Sequence, residues 1–260
     1  MSDPAMSANT ASVALTLTGR TLRLSRRNTE ALLISLVLPI MLMLVFVYLF
    51  GGALQPGVGT SAYVTYVVPG VLLLCAAFGA ALTAGAVSYD MTSGIIDRFR
   101  SMDVGGGWFL CSHVVASLAR NIVSTTIVLG VALAIGFRPD TTPAHALAAA
   151  GVLIAFVLAV SWLSAVVGLI AKTPEAASSF TFVPMFLPYA SSAFVPIETM
   201  PSWLRGFAEH QPVTPVIETL RGLLLGADVG NSPWLALAWS TGLLLLGVAL
   251  SGVLFRRRAA

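Results

Sequence analysis

The chain has 260 residues, of which 57% are hydrophobic and only 10% are charged, against about 25% in an ordinary soluble domain. With a mean hydropathy of +0.90 it carries more apolar side chain than a soluble domain of this size can keep from water, and the same numbers exclude a disordered chain. The formal net charge is +3, and the two cysteines, Cys75 and Cys111, lie inside apolar runs, so a disulfide scaffold is excluded as well. A polytopic membrane protein is the class that remains.

Six apolar segments are long enough, or nearly so, to cross a bilayer, which takes about 20 residues. These segments are continuous and lack the alternation of barrel strands, so they predict helices and an all-α fold. In chain order they cover residues 31–50, 67–88, 109–137, 144–170, 177–195 and 235–255.

The basic residues near the span ends predict the orientation, since cytoplasmic loops carry an excess of Lys and Arg. Thirteen of the fourteen basic residues are arginines, and Lys172 is the single lysine. If the N-terminus is cytoplasmic, three arginines lie outside, namely Arg138, Arg205 and Arg221. Ten basic residues then lie inside: Arg20, Arg23, Arg26, Arg27, Arg98, Arg100, Lys172, Arg256, Arg257 and Arg258. Both termini are therefore predicted to be cytoplasmic. The distribution of the basic residues also argues against nucleic acid as a partner, because they flank apolar segments and form no basic stripe.

The segments form one membrane domain without an internal repeat. Residues 1–29 are predicted to be a cytoplasmic arm with an interfacial helix, residues 30–256 the six-span domain, and residues 257–260 a cytoplasmic tail. Arginines just before the first span attract acidic lipid head groups, by about 1 kcal/mol each. Glu30 opens that span, where a carboxylate suits a helix N-terminus.

The cytoplasmic loop between the second and third spans predicts a short amphipathic helix. Gly94 interrupts the preceding helix, and apolar side chains then recur at helical spacing. The apolar positions are Ile95, Ile96, Phe99 and Met102, with Asp97, Arg98 and Arg100 on the remaining surface. From the residues alone, two interpretations stay open: a helix lying on lipid, or a docking element for a soluble partner.

Two further regions hold charged residues beside or inside apolar sequence. Arg120, in the third span, is predicted to reach the cytoplasmic interface with its long side chain.

After the fifth span, prolines and glycines divide the sequence into apolar stretches that are too short to cross a bilayer. Residues 201–208 and 215–225 therefore predict two short helices that dip into the outer leaflet. Trp203 lies in the first of these helices. Glu218 and Arg221 lie in the second, three residues apart, and can pair on one face; a structural ion pair is favoured over a contact with substrate.

The sequence also lacks the motifs of nucleotide, metal and catalytic sites, which excludes further classes of function. A P-loop needs a lysine after its last glycine, but Lys172 follows Ala171. The histidines at 113, 145 and 210 are scattered, so no metal site is predicted. With no paired nucleophile and base either, no catalytic residue, no cofactor and no enzymatic activity are expected of this chain.

Several of these stretches occur together, in the same order, in one known family. They are residues 26–28 with Pro39 and 46–52, then 94–101, 192–201 and 218–224. Over about residues 15–256 the chain resembles the ABC transporter type-2 permeases, and within them the daunorubicin/doxorubicin-resistance branch. It departs from that branch at His113 and Ser117, where members often carry Arg and Asp, and at Gln211, where many carry Asn. The drug specificity of the branch is therefore not carried over.

The resemblance implies the permease subunit of an ATP-binding-cassette exporter in the bacterial plasma membrane, moving an amphipathic drug or a lipid-like substrate outward. Two permease copies, identical or paralogous, would pair in the lipid, and each would dock on a separate ATPase subunit that binds ATP and Mg²⁺. It further implies two groups of site residues. The ATPase-coupling helix would hold Ile95, Ile96, Asp97, Arg98, Phe99, Arg100 and Met102, and the interfacial elbow would hold Arg23, Arg26, Arg27 and Glu30. A third group, predicted from the residues themselves, is the extracellular re-entrant segment with Trp203, Glu218 and Arg221.

Two alternatives remain at this stage. Related type-2 permeases export polysaccharides or glycolipids, and neither the chain length nor the motifs separate that function from drug export. An ion-coupled transporter is less favoured. Such carriers usually show charged residues near mid-membrane and matching repeats, and neither feature is clear in this sequence.

Overall fold

The computed structural model describes residues 10–27, 29–51, 60–94, 106–180, 182–227 and 229–259, which form helices and turns without a β-strand. The predicted all-α fold is therefore confirmed for this part of the chain. The α-helices are α1 Thr10–Arg27, α2 Thr29–Val45, α3 Thr60–Thr92, α4 Gly106–Ala134, α5 Pro143–Ile170, α6 Pro174–Phe180, α7 Phe182–Phe186, α8 Ser202–His210, α9 Val213–Leu225 and α10 Ser232–Ala259. The predicted coupling helix, residues 95–102, lies outside the described residues.

Four helices are long and apolar enough to cross a membrane, namely α3, α4, α5 and α10. They correspond to the second, third, fourth and sixth predicted spans. The third span was predicted to run to Phe137, but α4 ends at Ala134 and the buried Phe137 follows after a short turn. The start of α5 has a clear local cause, because Thr142 accepts a hydrogen bond from the backbone N–H of His145 and Pro143 occupies the first turn.

The first and fifth predicted spans are less regular. The first is α2, which continues as a π-helical turn over Phe46–Phe50. The fifth was predicted as one helix over residues 177–195, but its described residues form α6, α7 and a 3-10 turn at Leu187–Ala190, followed by a turn at 191–194. Pro184 and Pro188 account for the difference, since each lacks the backbone N–H that a continuous helix needs.

The central helix of the fold is α3. In its most apolar stretch 88% of the residues are buried, against 17% in that of α10. Helices α2, α4, α5, α6 and α9 all pack against α3, and α10 packs outside them against α5. Fully buried side chains along α3 form the core, among them Tyr63, Val64, Val67, Leu73 and Leu74.

Glycine allows α3 and α5 to approach each other closely. A Cβ atom on Gly168 of α5 would lie 2.6 Å from the carbonyl oxygen of Ala84 and 2.8 Å from the Cβ of Val87, both on α3. Helices in lipid associate through packing of this kind, because lipid chains are as apolar as the side chains and give no hydrophobic driving force.

We therefore expect Gly168→Ala to destabilise the fold. The added methyl group must push the two backbones apart, at a cost of about 1–3 kcal/mol. Gly151→Ala on the same helix is the matched control, since nothing lies within 4 Å of the Cβ it would add. The measurement is the Tm of the purified proteins in one detergent. Equal Tm values for the two variants would contradict the close packing of α3 and α5.

Candidate functional site

Three ionisable side chains meet at the C-terminal end of α3, shortly before residues 95–105. Asp90 lies in the last turn of α3 and is only 4% exposed. Arg20 of α1 donates two hydrogen bonds to its carboxylate, from Nη1 to Oδ2 at 2.9 Å and from Nη2 to Oδ1 at 3.2 Å. On the other side, Nε2 of the buried His113 of α4 lies 3.2 Å from Oδ2. We call Arg20, Asp90 and His113 the Asp90 cluster; it joins α1, α3 and α4.

The geometry of this cluster suits a carboxylate removed from water. A buried charge is strongly unfavourable without a partner, and the planar guanidinium matches a carboxylate with two parallel hydrogen bonds. The hydrogen bond that Arg20 donates to Asp90 raises the pKa of Arg20 above its ordinary value, although partial burial acts in the opposite direction. Since a guanidinium is not deprotonated in proteins, Arg20 supplies a permanent positive charge beside this carboxylate.

The N-terminal arm packs as a helix against α4. Leu17 and Thr21 are buried, and the Thr21 hydroxyl lies 3.2 Å from the Ser112 hydroxyl of α4. On the opposite face Leu15 is 74% exposed. This pattern confirms a helix in the predicted arm; its interfacial role stays a prediction.

Of the predicted elbow residues, only the side chain of Arg23 is described. It is exposed, and its Nε donates to the carbonyl oxygen of Gly19, one turn earlier in α1. The side chains of Arg26, Arg27 and Glu30 lie outside the described part of the chain.

Arg120 lies in the same region, on the face of α4 that meets α1 and α3. Its Nη1 donates to Ser25 Oγ of α1 at 3.1 Å, and its Nη2 donates to Thr83 Oγ1 of α3 at 2.9 Å. The carbonyl oxygen of Gly79 is also within reach of Nη2, at 3.5 Å. The guanidinium thus meets neutral polar groups of two neighbouring helices rather than ending in open solvent.

A cavity of about 660 Å³ opens between these helices. Its polar lining includes the Asp90 cluster and Arg120, and apolar side chains from α1, α2 and α3 form much of the rest. Nothing in the sequence pattern predicted this cavity, because its walls come from segments far apart in the chain.

A second polar connection holds the far end of α3. Arg221 of α9 donates to Glu218 Oε1 at 2.9 Å, to the carbonyl oxygen of Ser192 at 2.8 Å and to that of Tyr66 at 3.2 Å. Its guanidinium carbon also lies 3.9 Å from the centre of the Tyr66 ring, which adds a cation–π interaction. The predicted pairing of Glu218 with Arg221 is confirmed. We call Arg221, together with its partners Glu218, Ser192 and Tyr66, the Arg221 anchor.

Two further residues, Trp203 and Gln211, differ in burial. Trp203 is 79% exposed on α8 and does not join the Arg221 anchor. Gln211 is buried. Its Nε2 donates to the carbonyl oxygens of Leu187 and Ala190, at the end of the broken helical segment made of α6, α7 and the following 3-10 turn. From the sequence, Gln211 stands out only as a departure from the family pattern. Its position as a polar residue between apolar segments is the feature that could have predicted these hydrogen bonds to the backbone.

The Asp90 cluster should contribute measurably to stability. Asp90→Asn removes the charge that holds Arg20 and His113, so we expect a loss of about 2 kcal/mol in the free energy of unfolding. Asp140→Asn, in the exposed loop before α5, is the control and should have little effect. The measurement is equilibrium unfolding in mixed micelles. The cluster would lose its proposed importance if Asp90→Asn and Asp140→Asn unfolded at the same denaturant concentration.

We expect the two charged residues of the Arg221 anchor to contribute unequally to stability. Arg221→Gln loses two links to backbone carbonyls as well as the ion pair, so we expect it to cost about 2–3 kcal/mol. Glu218→Gln removes only a carboxylate whose side chain is 36% exposed, and should cost less than about 1 kcal/mol. Thermal unfolding of both variants tests this order. Similar losses in both would mean that the ion pair, rather than the backbone links, holds α9.

The chain matches known proteins over most of its length. A family model described as ABC-2 type transporter matches residues 13–225, a stretch that contains both the Asp90 cluster and the Arg221 anchor. The daunorubicin resistance ABC transporter permease protein DrrB1 of Streptomyces coeruleorubidus is 32% identical over 236 residues, covering 88% of this chain and 81% of that protein. The probable doxorubicin resistance ABC transporter permease protein DrrC of Mycobacterium tuberculosis is 25% identical over 240 residues, covering 92% of this chain and 87% of that protein. The chain therefore belongs to the ABC-2 type transporter family, in its daunorubicin/doxorubicin-resistance branch.

Proposed function

We propose that the chain is the permease subunit of an ATP-driven exporter, moving an amphipathic drug or lipid-like substrate outward across the bacterial plasma membrane. The relatives' names support this, since both are ABC transporter permease proteins linked to drug resistance. The sequence has no P-loop, so the nucleotide would be bound and hydrolysed by a separate ATPase subunit. Two permease copies and two ATPase copies would form the complex.

The observation that carries the coupling part of this proposal is the Asp90 cluster. The predicted coupling residues follow α3 directly, and Asp90 lies in the last turn of that helix. Because Asp90 is bonded to α1 and α4 as well, a displacement of the loop by an ATPase would move three helices together. Such a unit suits the transfer of a movement from a docking loop into the membrane domain.

The proposed topology has six spans and cytoplasmic termini, with the fifth crossing made by the broken helical segment. The hydroxyl of Thr141, just before α5, donates to the carbonyl oxygen of Leu223 in α9 at 2.7 Å, so α9 lies beside the start of α5. With 28 residues, α5 is about 42 Å long. The chain must therefore return over that distance between the end of α5 and α9.

Contacts with α3 support the path of this return. A Cβ atom on Gly85 would lie 2.8 Å from Ser178 Oγ, and one on Gly70 would lie 2.5 Å from the Cβ of Ala193. Along α3 these two glycines are about 22 Å apart. The contacts at Ser178 and Ala193 are therefore separated by most of a bilayer core of about 30 Å. This spacing supports a fifth crossing alongside α3, in which the prolines would bend the segment.

The first test is a mild-detergent pull-down of the tagged chain from its native membranes, with mass spectrometry of the proteins that accompany it. We expect a stoichiometric ATPase that carries a P-loop. A second, different permease in the same sample would identify a heterodimer of permeases. Recovery of the chain without any ATPase, repeated after crosslinking, would contradict the proposal and favour an ion-coupled carrier.

The coupling loop gives a sharper test. In the complex reconstituted in liposomes, we expect the double variant Phe99→Ala/Arg100→Ala to lose substrate export by about tenfold or more while the ATPase still hydrolyses ATP. The physical reason is the loss of an apolar contact and a charge at the docking surface. Export and ATP hydrolysis are measured in the same preparation.

The matched control is His145→Ala/Leu147→Ala. It also replaces one polar and one apolar side chain, both exposed, in the first turns of α5 at the opposite end of the molecule. Export should be unchanged in this variant. If the loop variant exported as well as the control, the assignment of residues 95–102 as the coupling helix would be wrong.

A further inference from the structure

The cavity beside the Asp90 cluster has the composition of a binding site. Its volume of about 660 Å³ lies within the usual range for small-molecule sites, about 300–1,000 Å³. The wall is contributed by α1, α2, α3, α4 and α6, and it divides into two parts. Polar groups, including Arg20 and Arg120, form one part, while Leu24, Leu32 and Leu82 form an apolar surface in the same cavity.

The polar part carries an excess of positive charge. Among the described lining residues Asp90 is the one carboxylate, and it is held by Arg20 and His113. Arg120 has no carboxylate within ion-pair distance in the described part of the chain. Its hydrogen bonds go to hydroxyl and carbonyl oxygens, which carry no net charge.

A cation in this position is costly for the protein on its own. Arg120 lies near the middle of α4, inside a stretch that is apolar enough to span a membrane. Charged residues at such positions are rare and usually line a path or a site, paired with an opposite charge. Neutral partners satisfy part of the guanidinium's hydrogen-bonding capacity but leave its charge uncompensated, so an anion in the cavity would be bound favourably.

We propose that this cavity binds an amphiphile with an acidic head group, a phosphate or a carboxylate. The head group would contact Arg120, with Arg20 beside it on the cavity wall, and the adjoining chain would lie along Leu24, Leu32 and Leu82. The guanidinium suits both anions, because its planar N–H groups match two oxygens of either one. The proposed topology places this cavity toward the cytoplasmic leaflet, from which the ligand would come. The binding chemistry itself does not depend on that topology.

Titration of the purified full chain with defined lipids tests this assignment. Native mass spectrometry in a neutral detergent would give the Kd for phosphatidylglycerol and for phosphatidylcholine with the same acyl chains. We expect phosphatidylglycerol to bind about tenfold more tightly. Inorganic phosphate, which has the anion but no chain, should fail to displace the lipid at equal concentration.

Two variants locate the binding in the cavity. Arg120→Gln should weaken phosphatidylglycerol binding about tenfold. It should weaken phosphatidylcholine binding much less, because the choline group offsets the charge of the phosphate. Ala86→Leu, which adds bulk to the cavity wall without removing a charge, should also weaken phosphatidylglycerol binding. Arg138→Gln is the control: Arg138 lies in the loop after α4, bonded to the carbonyl oxygens of Leu133 and Phe137, and its loss should change the Kd by less than about twofold.

Three results would overturn the proposal. They are equal affinity for the two lipids, an Arg120→Gln variant that binds like Arg138→Gln, and displacement of the lipid by inorganic phosphate at equal concentration. If Arg120→Gln does not fold, Arg120→Lys keeps the charge but loses the planar fork, and it should bind phosphatidylglycerol with intermediate affinity. Unchanged binding in both Arg120→Lys and Ala86→Leu would then contradict the site.

The outcome is independent of the export experiment. Lipid binding is measured on the permease alone, without ATP or an ATPase, so failure of the pull-down would leave this assignment intact. Conversely, an exporter that couples normally to its ATPase but shows no preference for acidic lipids would retain the proposed function and lose this site.

Discussion

The buried carboxylate of Asp90 imposes a constraint on the whole N-terminal half of the structure. With 6% of its side chain exposed, it needs positive or hydrogen-bonding neighbours from other helices, and Arg20 and His113 are those neighbours. Because Arg20 lies on α1 and His113 on α4, satisfying one carboxylate fixes the positions of two helices relative to α3. The helix of the N-terminal arm is thereby a packed part of the membrane domain and not merely a segment attracted to lipid by its arginines.

The central helix is therefore held by polar contacts at both ends and by close apolar packing between them. Asp90 anchors one end, and the carbonyl oxygen and ring of Tyr66 receive Arg221 near the other. Between these anchors Gly168 lets the backbone of α5 approach that of α3. This division fits a protein in lipid, where burial of apolar surface gives little net attraction between helices and specific contacts determine how they associate.

The sequence predicted most of what depends on local rules. Length and hydropathy located α5 almost to the residue, and the spacing of Glu218 and Arg221 predicted their ion pair because neighbours three apart share a helix face. The fifth span was wrong as a single helix, although Pro184 and Pro188 were visible, because a long apolar run outweighed them in the prediction. The Asp90 cluster could not be found in this way: Arg20 and Asp90 are 70 residues apart, and only the packing of α1 against α4 brings them together. Residues 95–102 lie outside the described structure, so the coupling helix stays a prediction.

The two arginines that reach the backbone of α3 differ in their counter-charge. Both have an Nε without a hydrogen-bond partner, so that atom does not distinguish them. Arg221 has Glu218 at 2.9 Å and the face of Tyr66, so its charge is compensated within the chain. Arg120 contacts α3 through Thr83 and Gly79, but its described neighbours supply no negative charge, and it lines a cavity that has room for a ligand. On the proposed assignment, a cation in an otherwise apolar helix would favour acidic amphiphiles, since a neutral molecule of the same shape would leave the charge uncompensated and a zwitterionic one would bring a second positive charge beside Arg20 and Arg120.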